Sequence, residues 1–370
     1  MRPVWAEIDL QAIDHNIDEV KKIIKPTTKI MAIVKANAYG HGAIPVAERA
    51  LKRGVEYLGV ALLQEAIELR EHGLAAPILI LGYTPEKDYE LLVRHKVTQT
   101  IYSINQAKSL NEVAKNIGIK AKIHVKLDTG MGRLGFTIPE SIRALKDITR
   151  LPYLELEGLF THLAISDAKD KSYSQMQLAK FLGVCHELDK AGISIKYKHT
   201  ANSGAIIDLP ESHLDLVRPG IMLYGLYPSK EVDHTKVNLK QAMTLKTHII
   251  HLKKVPVGTS ISYGCTFTTQ RPARIATLPV GYADGYSRLL SNKGFVLVSG
   301  ERVPVIGRIC MDQCMLDVTN VADVRLGDEV VLFGFQGQAI LQIDEVADLI
   351  GTINYEVVSM VSDRVPRRYV

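Results

Sequence analysis

The sequence predicts an α/β fold, with an N-terminal (β/α)8 barrel of the TIM type followed by a C-terminal, mostly-β domain. Three observations predict it. Between Lys29 and about Arg218, a short apolar run, a polar turn and a helix pattern recur eight times. The first unit lacks a dinucleotide fingerprint: Gly40-His41-Gly42-Ala43-Ile44-Pro45 offers two glycines and then fails, which argues against an open doubly wound sheet. After Lys230 the texture changes to alternating runs separated by glycine turns, the mark of hairpin-linked strands. The charged linker Ser229–Asn238 separates the two, giving a barrel domain over 1–236 and a β domain over 237–370. Residues 1–10, apolar and acidic by turns, read as a strand that pairs with the second domain.

The eight barrel runs are Lys29–Val34, Tyr57–Ala61, Ile78–Leu81, Thr98–Ile101, Ala121–Val125, Leu154–Phe160, Ile195–Lys198 and Leu214–Val217. The intervening helices carry start and stop signals. Thr84-Pro85 places a cap residue before a first-turn proline. Ser103 with Gln106, and Thr137 with Glu140, read as capping boxes. Gly73, Gly118 and Gly192 follow helix ends, where a left-handed residue is wanted. In the second domain the runs are Thr247–Val255, Ser260–Tyr263, Arg274–Val280, Phe295–Val298, Val303–Ile309, Cys314–Val318 and Glu329–Phe333. Ser299-Gly300 and Gly327-Asp328 read as hairpin turns, and only Asp344–Ile350 looks helical.

Composition bounds the function classes. Hydrophobic residues make 46% and charged residues 23%, ordinary for a soluble globular protein. The net charge of +5 comes from Lys and Arg interleaved with Asp and Glu, so no nucleic-acid stripe is visible. No apolar run approaches the ~20 residues of a membrane span, and Met1–Leu10 lacks the features of a signal peptide. Cys185, Cys265, Cys310 and Cys314 read as reduced thiols in a cytoplasmic protein, with no metal-ligand spacing.

Barrel enzymes carry their reactive groups at the C-terminal strand ends. Here the first run ends in Lys35 and then Tyr39, the fifth in Lys126-Leu127-Asp128-Thr129-Gly130-Met131-Gly132-Arg133, and the sixth in Thr161-His162. The seventh ends in His199-Thr200-Ala201-Asn202-Ser203 and the eighth in Arg218-Pro219-Gly220-Ile221. An amine at the end of a buried strand is poorly solvated, which lowers its pKa and suits it to Schiff-base chemistry. Gly220-Ile221-Met222 follows the eighth run, where many barrels hold a phosphate on backbone N–H groups, and Ser203 can add a hydroxyl. A phosphate site beside a strand-end lysine points to pyridoxal 5'-phosphate.

These residues carry a family resemblance. The chain resembles the alanine racemases in Ala32-Ile33-Val34-Lys35-Ala36-Asn37-Ala38-Tyr39-Gly40-His41-Gly42, in the Lys126–Gly135 segment, in His199–Ser203 and in Arg218-Pro219-Gly220. In the second domain the matches are Ser262-Tyr263-Gly264, Leu278–Gly285, Gly307–Gln313, Asn354-Tyr355-Glu356 and Arg364-Val365-Pro366-Arg367. The resemblance implies interconversion of L- and D-alanine by two-base proton transfer on a pyridoxal phosphate aldimine, supplying D-alanine for bacterial cell-wall peptidoglycan. Lys35 would hold the cofactor and act as one base. Tyr263, from the second subunit of a homodimer, would be the base on the opposite face. A phenol is a weak base at neutral pH unless neighbours stabilise its phenolate, and His162 and Arg218 are the contributors. Arg218 resembles the partner of the pyridine nitrogen, with His199 holding it. Tyr39, Ser203, Gly220, Ile221 and Tyr355 match phosphate-side positions. Arg133 and Met311 match contacts to the substrate carboxylate. Lys126 matches a lysine that is carbamylated in many members and orients Arg133, and Asn202 is a supporting residue. Tyr282, Arg288, Arg308 and Asp167 resemble an access corridor.

The nearest rivals are a broader-specificity racemase and an amino-acid decarboxylase of the same architecture. The decarboxylases present an acidic partner to the pyridine nitrogen, where this chain has Arg218. A carbamyl-lysine metal hydrolase would want a His-x-His pair after the first strand, which is absent, and His248 and His251 read as pointing to opposite faces of one strand.

Overall fold

A computed structural model describes residues 3–370. The chain forms two compact units. One holds Ala12–Ala38 and Ala43–Lys240; the other gathers the N-terminal segment up to Gln11, Tyr39–Gly42 and Gln241–Val370.

The first unit is a nearly closed parallel barrel. In chain order after β1 (Val4–Ile8) of the other unit, its strands are β2 (Lys29–Ile33), β3 (Tyr57–Val60), β4 (Ile78–Ile80), β5 (Thr98–Ile101), β6 (Ala121–Asp128), the short β7 (Phe136–Thr137), β8 (Leu154–Phe160), β9 (Tyr197–His199) and β10 (Leu216–Val217). They pair in the order β10-β2-β3-β4-β5-β6-β8-β9, with β7 beside β6. The ring is drawn together by Asp215 N–H donating to Lys198 C=O at 3.1 Å and Arg218 N–H to Ala201 C=O at 3.0 Å. Strands buried on both faces read as continuous apolar runs, which is why the eight runs fall on the eight strands. Ser103 caps its helix by accepting from Gln106 N–H at 3.2 Å, and Gly118 closes that helix at φ 75. Thr137 and Glu140 form their capping box. Thr84 differs from expectation in one respect: its hydroxyl donates to Gln99 at 2.7 Å instead of capping, and the helix Tyr89–Arg94 is entered through a 3-10 turn, Glu86–Asp88.

The second unit is built on a twisted, mostly antiparallel sheet. β1 pairs antiparallel with Met243–His248 and parallel with Arg367–Tyr369 at the C-terminus. The predicted run Thr247–Val255 is two strands, Met243–His248 and His251–Val255. The chain changes partners there: His248 lies opposite Glu329, His251 opposite Thr277. The two histidines therefore lie on different strands. Ser299 (φ 52) and Gly300 (φ 80) make the predicted two-residue hairpin between paired Val298 and Glu301. Gly327-Asp328 joins no hairpin; Gly327 N–H donates to Ile249 C=O at 2.8 Å and the strand Glu329–Gln336 begins after it. Besides Ile343–Ile350, a second helix forms over Asn354–Ser359.

Candidate active site

Lys35 stands where β2 ends, and the next residues do something the sequence does not announce. Ala36, Asn37, Ala38 and Tyr39 all lie in the left-handed region, at φ 51, 52, 53 and 52. A non-glycine residue there costs roughly 1–2 kcal/mol. Specific bonds hold this left-handed turn. The Glu65 carboxylate accepts from Ala36 N–H at 2.6 Å and from Ala61 N–H at 2.7 Å. Asn37 Oδ1 accepts from Ala43 N–H at 2.8 Å. Arg367 Nε donates to Gly40 C=O at 2.9 Å, and a Cβ at Gly40 would sit 2.3 Å from Val358 O. The turn re-aims the chain at the lysine.

Arg218, buried at the end of β10, is fixed by four groups. Its Nη1 donates to His199 Nδ1 at 2.8 Å; its Nη2 donates to Thr161 C=O at 2.8 Å and Thr200 C=O at 3.0 Å, and faces His162 Nδ1 at 3.4 Å. The Phe160 ring stacks on His199 with centroids 4.7 Å apart, and both Lys126 and Arg218 lie 5.5 Å from its centroid. Burial lowers the Arg218 pKa to about 9, so the guanidinium keeps its charge at neutral pH. Burial, then the charges of Arg218, Lys126, Arg133 and Lys35, pull the His162 pKa well below normal, leaving a neutral imidazole.

The glycine-rich Lys126–Gly135 segment turns tightly around Asp128, whose Oδ1 accepts N–H bonds from Gly130 and Gly132, both at 3.0 Å. Burial works against this carboxylate, yet the N–H groups hold its pKa below normal. Lys126 is buried, and burial followed by the Arg133 and Arg218 charges lowers its pKa to about 8. Burial and Arg133 likewise lower that of Lys35, against the pull of Glu65. Lys35, Lys126, Arg133 and Arg218 thus converge on one mouth as a cationic cluster. The nearest carboxylates are already engaged by backbone N–H groups, so the mouth suits an anionic ligand. Beside it, Ser203 Oγ accepts from Gly220 N–H at 3.0 Å and Met222 N–H at 3.4 Å, at the start of the 3-10 turn Ile221–Tyr224. Asn202 caps the helix Ser203–Asp208 through Ala205 N–H at 3.2 Å and accepts from Ser166 at 2.5 Å. This cap fixes the start of the helix whose first residue is Ser203.

The other predicted residues, Asp167 apart, belong to the second unit. Tyr263 is 71% exposed. Its backbone is unusual: Ser262, Gly264 and Cys265 have φ of 67, 72 and 49. Ser262 Oγ anchors it by donating to Arg308 C=O at 2.6 Å. Met311, 53% exposed, sits in a loop tied down by Ala283 N–H at 3.1 Å from its carbonyl. Gly281 is required there, because a Cβ would lie 2.2 Å from Cys310 O. Tyr39 and Tyr355 face each other with ring centroids 6.1 Å apart, and burial raises the Tyr39 pKa. Of the corridor residues, Tyr282, Arg288 and Arg308 belong to this unit and Asp167 to the barrel.

Sequence reading missed Glu65 and a polar line inside the barrel, Tyr57, His124 and Glu157. Each is a polar residue in or beside an apolar run, and a burial-sensitive reading of those breaks is the signal that could have found them.

The description of the alanine racemase N-terminal domain matches residues 8–228, and that of the C-terminal domain matches residues 242–369. The alanine racemase of Methanococcus maripaludis is 51% identical over 369 residues, covering 99% of this chain and 98% of its own. That of Desulforamulus reducens is 52% identical over 369 residues, covering 100% and 99%. The solved alanine racemase of Clostridium difficile 630 superposes with a TM-score of 0.96 at 45% identity, covering 100% of this chain and 96% of that one. The Bacillus anthracis enzyme solved with bound L-Ala-P gives 0.95 at 39% identity, covering 100% and 95%. Two domain matches in order and half-identical relatives over full length agree with the barrel, the β unit and the lysine mouth: this chain belongs to the alanine racemase family.

Proposed function

We propose that this chain racemises alanine with pyridoxal 5'-phosphate, using Lys35 and Tyr263 as the two bases, in a homodimer whose subunits share their sites. The supporting observation is the cationic mouth around a desolvated amine. Its donor set fits the cofactor: a lysine biased toward its neutral form, a guanidinium that can only donate, and a serine hydroxyl aligned with N–H groups at a 3-10 turn. When bound, the cofactor supplies an aldehyde for amines and a ring that acidifies the Cα–H of the amino acid.

The chain's own residues do the rest. Lys35 would hold the cofactor and exchange a proton at Nζ on one face of Cα. Tyr263 Oη of the second subunit would exchange one on the other face; inversion needs both. Ser203, Gly220, Ile221, Tyr39 and Tyr355 would bind the phosphate. Arg133 and the second subunit's copy of Met311 would orient the substrate carboxylate. Arg218 would hold the pyridine nitrogen without protonating it, seated by His199, with His162 packed beside. With a pKa of about 8, roughly a tenth of Lys126 is neutral at pH 7, and the neutral amine is the form that takes up carbon dioxide. A carbamate there would replace a cation by an anion and brace Arg133. No helix among the described residues is long and apolar enough to cross a membrane. On this reading the enzyme works in the cytoplasm and its D-alanine feeds bacterial cell-wall peptidoglycan.

Borohydride trapping tests the reading. Protein loaded with cofactor, reduced and digested, should carry the pyridoxyl group on the Lys35 peptide, and the unreduced protein should convert L-alanine to an equal mixture. Label on another lysine, or no conversion, would overturn it.

A further inference from the structure

Arg218 is a buried guanidinium whose hydrogen-bond partners are two carbonyls and two imidazoles, none of them an anion. The line of contacts behind it leads to one. His199 Nε2 lies 2.9 Å from His124 Nδ1, and the buried His124 Nε2, which makes no hydrogen bond among the described residues, faces Glu157 Oε2 across 3.6 Å. Glu157 Oε2 also accepts from Tyr57 Oη at 2.9 Å, while Oε1 takes Lys122 at 3.2 Å and Lys196 at 3.5 Å.

The backbone is shaped to put that carboxylate inside. In the pairing of β6 with β8, Ile123 lies opposite Leu156 and His124 opposite Gly158, so Glu157 is the extra residue of a β-bulge. Bulges re-aim side chains. Gly158 then makes room for the His124 ring, since a Cβ there would lie 2.5 Å from Nδ1.

Donor logic leaves one arrangement of protons. Arginine only donates, so His199 Nδ1 accepts and its proton is on Nε2. His124 Nδ1 must then accept, which puts its proton on Nε2, aimed at the carboxylate. Both imidazoles are neutral: burial, followed for His199 by the Arg218 charge, lowers both pKa values. Burial opposes ionisation of Glu157, yet His124, Tyr57 and Lys122 bring its pKa to about 2, so it is the terminal anion.

We infer that Glu157 is a positioning residue for Arg218, its carboxylate acting as the terminal acceptor that sets the tautomers of His124 and His199 and so fixes the guanidinium at the mouth. With either imidazole flipped, an N–H would face an N–H and the guanidinium would lose its seat. The value of this for catalysis rests on the proposed cofactor role of Arg218; the proton arrangement does not.

Nitrogen-15 spectra of histidine-labelled protein, with and without added pyridoxal phosphate, test it. The expected result is that His124 and His199 are both neutral with the proton on Nε2. A proton on Nδ1 of either, or a charged ring, overturns the inference without any variant. Glu157→Met removes the anion that His124 Nε2 faces and should bring a mixture of tautomers and a cofactor affinity about tenfold weaker. Glu157→Gln, which keeps an acceptor oxygen, should recover the Nε2–H pattern and most of the affinity. Unchanged tautomers and affinity in Glu157→Met, or no recovery in Glu157→Gln, would overturn the role. Failure of the wild-type protein to bind pyridoxal phosphate would instead defeat the proposed function and leave the tautomers as measured.

Discussion

At the scale of single residues, Lys35, Lys126 and Arg218 are groups kept where water solvates them poorly. Lys126 shows the consequence most plainly. Its pKa falls from 10.5 to about 8 on folding, chiefly through burial and then Arg133. Between those two values the unfolded chain binds a proton that the folded chain does not, so stability rises with pH across that window. Below about pH 8 the folded protein bears the full cost of a buried cation. Lys126→Met keeps the stem and removes the charge. In carbon-dioxide-free buffer, urea unfolding of this variant without cofactor should show higher stability than wild type at neutral pH and a flatter rise toward pH 10. Parallel pH profiles for the two proteins would mean that the amine is not desolvated. The same variant should bind alanine more weakly if a carbamate on Lys126 braces Arg133.

At the scale of elements, the left-handed turn Ala36–Tyr39 stores strain beside Lys35. Ala36 is exposed, so its methyl contributes little packing. Ala36→Gly should therefore stabilise the protein by about 1 kcal/mol, the αL relief exceeding the entropy cost of glycine. Racemisation should slow, because Lys35 is less firmly aimed; thermal melts and turnover on the same sample measure both. A destabilised Ala36→Gly would contradict the observed backbone. This turn also marks where the sequence stopped being readable. Ala-Asn-Ala-Tyr signals a turn but not its hand, which is imposed by Glu65 and Arg367 from distant segments. The eight barrel strands were legible because strands covered on both faces are mostly apolar runs set between polar turns and helix patterns. The break in Thr247–Val255 was not, because a strand that changes partners keeps its alternation. The barrel residues proposed to hold the ligand stood out at strand ends, whereas Glu157 and His124, mid-strand and inward, looked like interruptions of an apolar run.

At the scale of the whole molecule, the proposed two-base reaction requires a second base on the face opposite Lys35. Tyr263 is 71% exposed, held on a backbone with three left-handed residues around it and a serine anchor beneath. An exposed aromatic on a rigid, strained segment is a costly arrangement for a side chain that only meets water. It is economical if a second copy of the chain covers it. A two-fold dimer would then hold two sites, each taking Lys35 from one subunit and Tyr263 from the other. Lys35→Ala chains and Tyr263→Phe chains should each be inactive alone. Unfolded together and refolded in equal amounts, half of the dimers should be hybrids with one intact site of two, so activity should return to about a quarter of wild type. The recovered activity should follow the hybrid fraction as the mixing ratio is varied. Inactive mixtures, with hybrids shown to be present by mass, would mean that each subunit completes its own site and that the exposed phenol has some other partner.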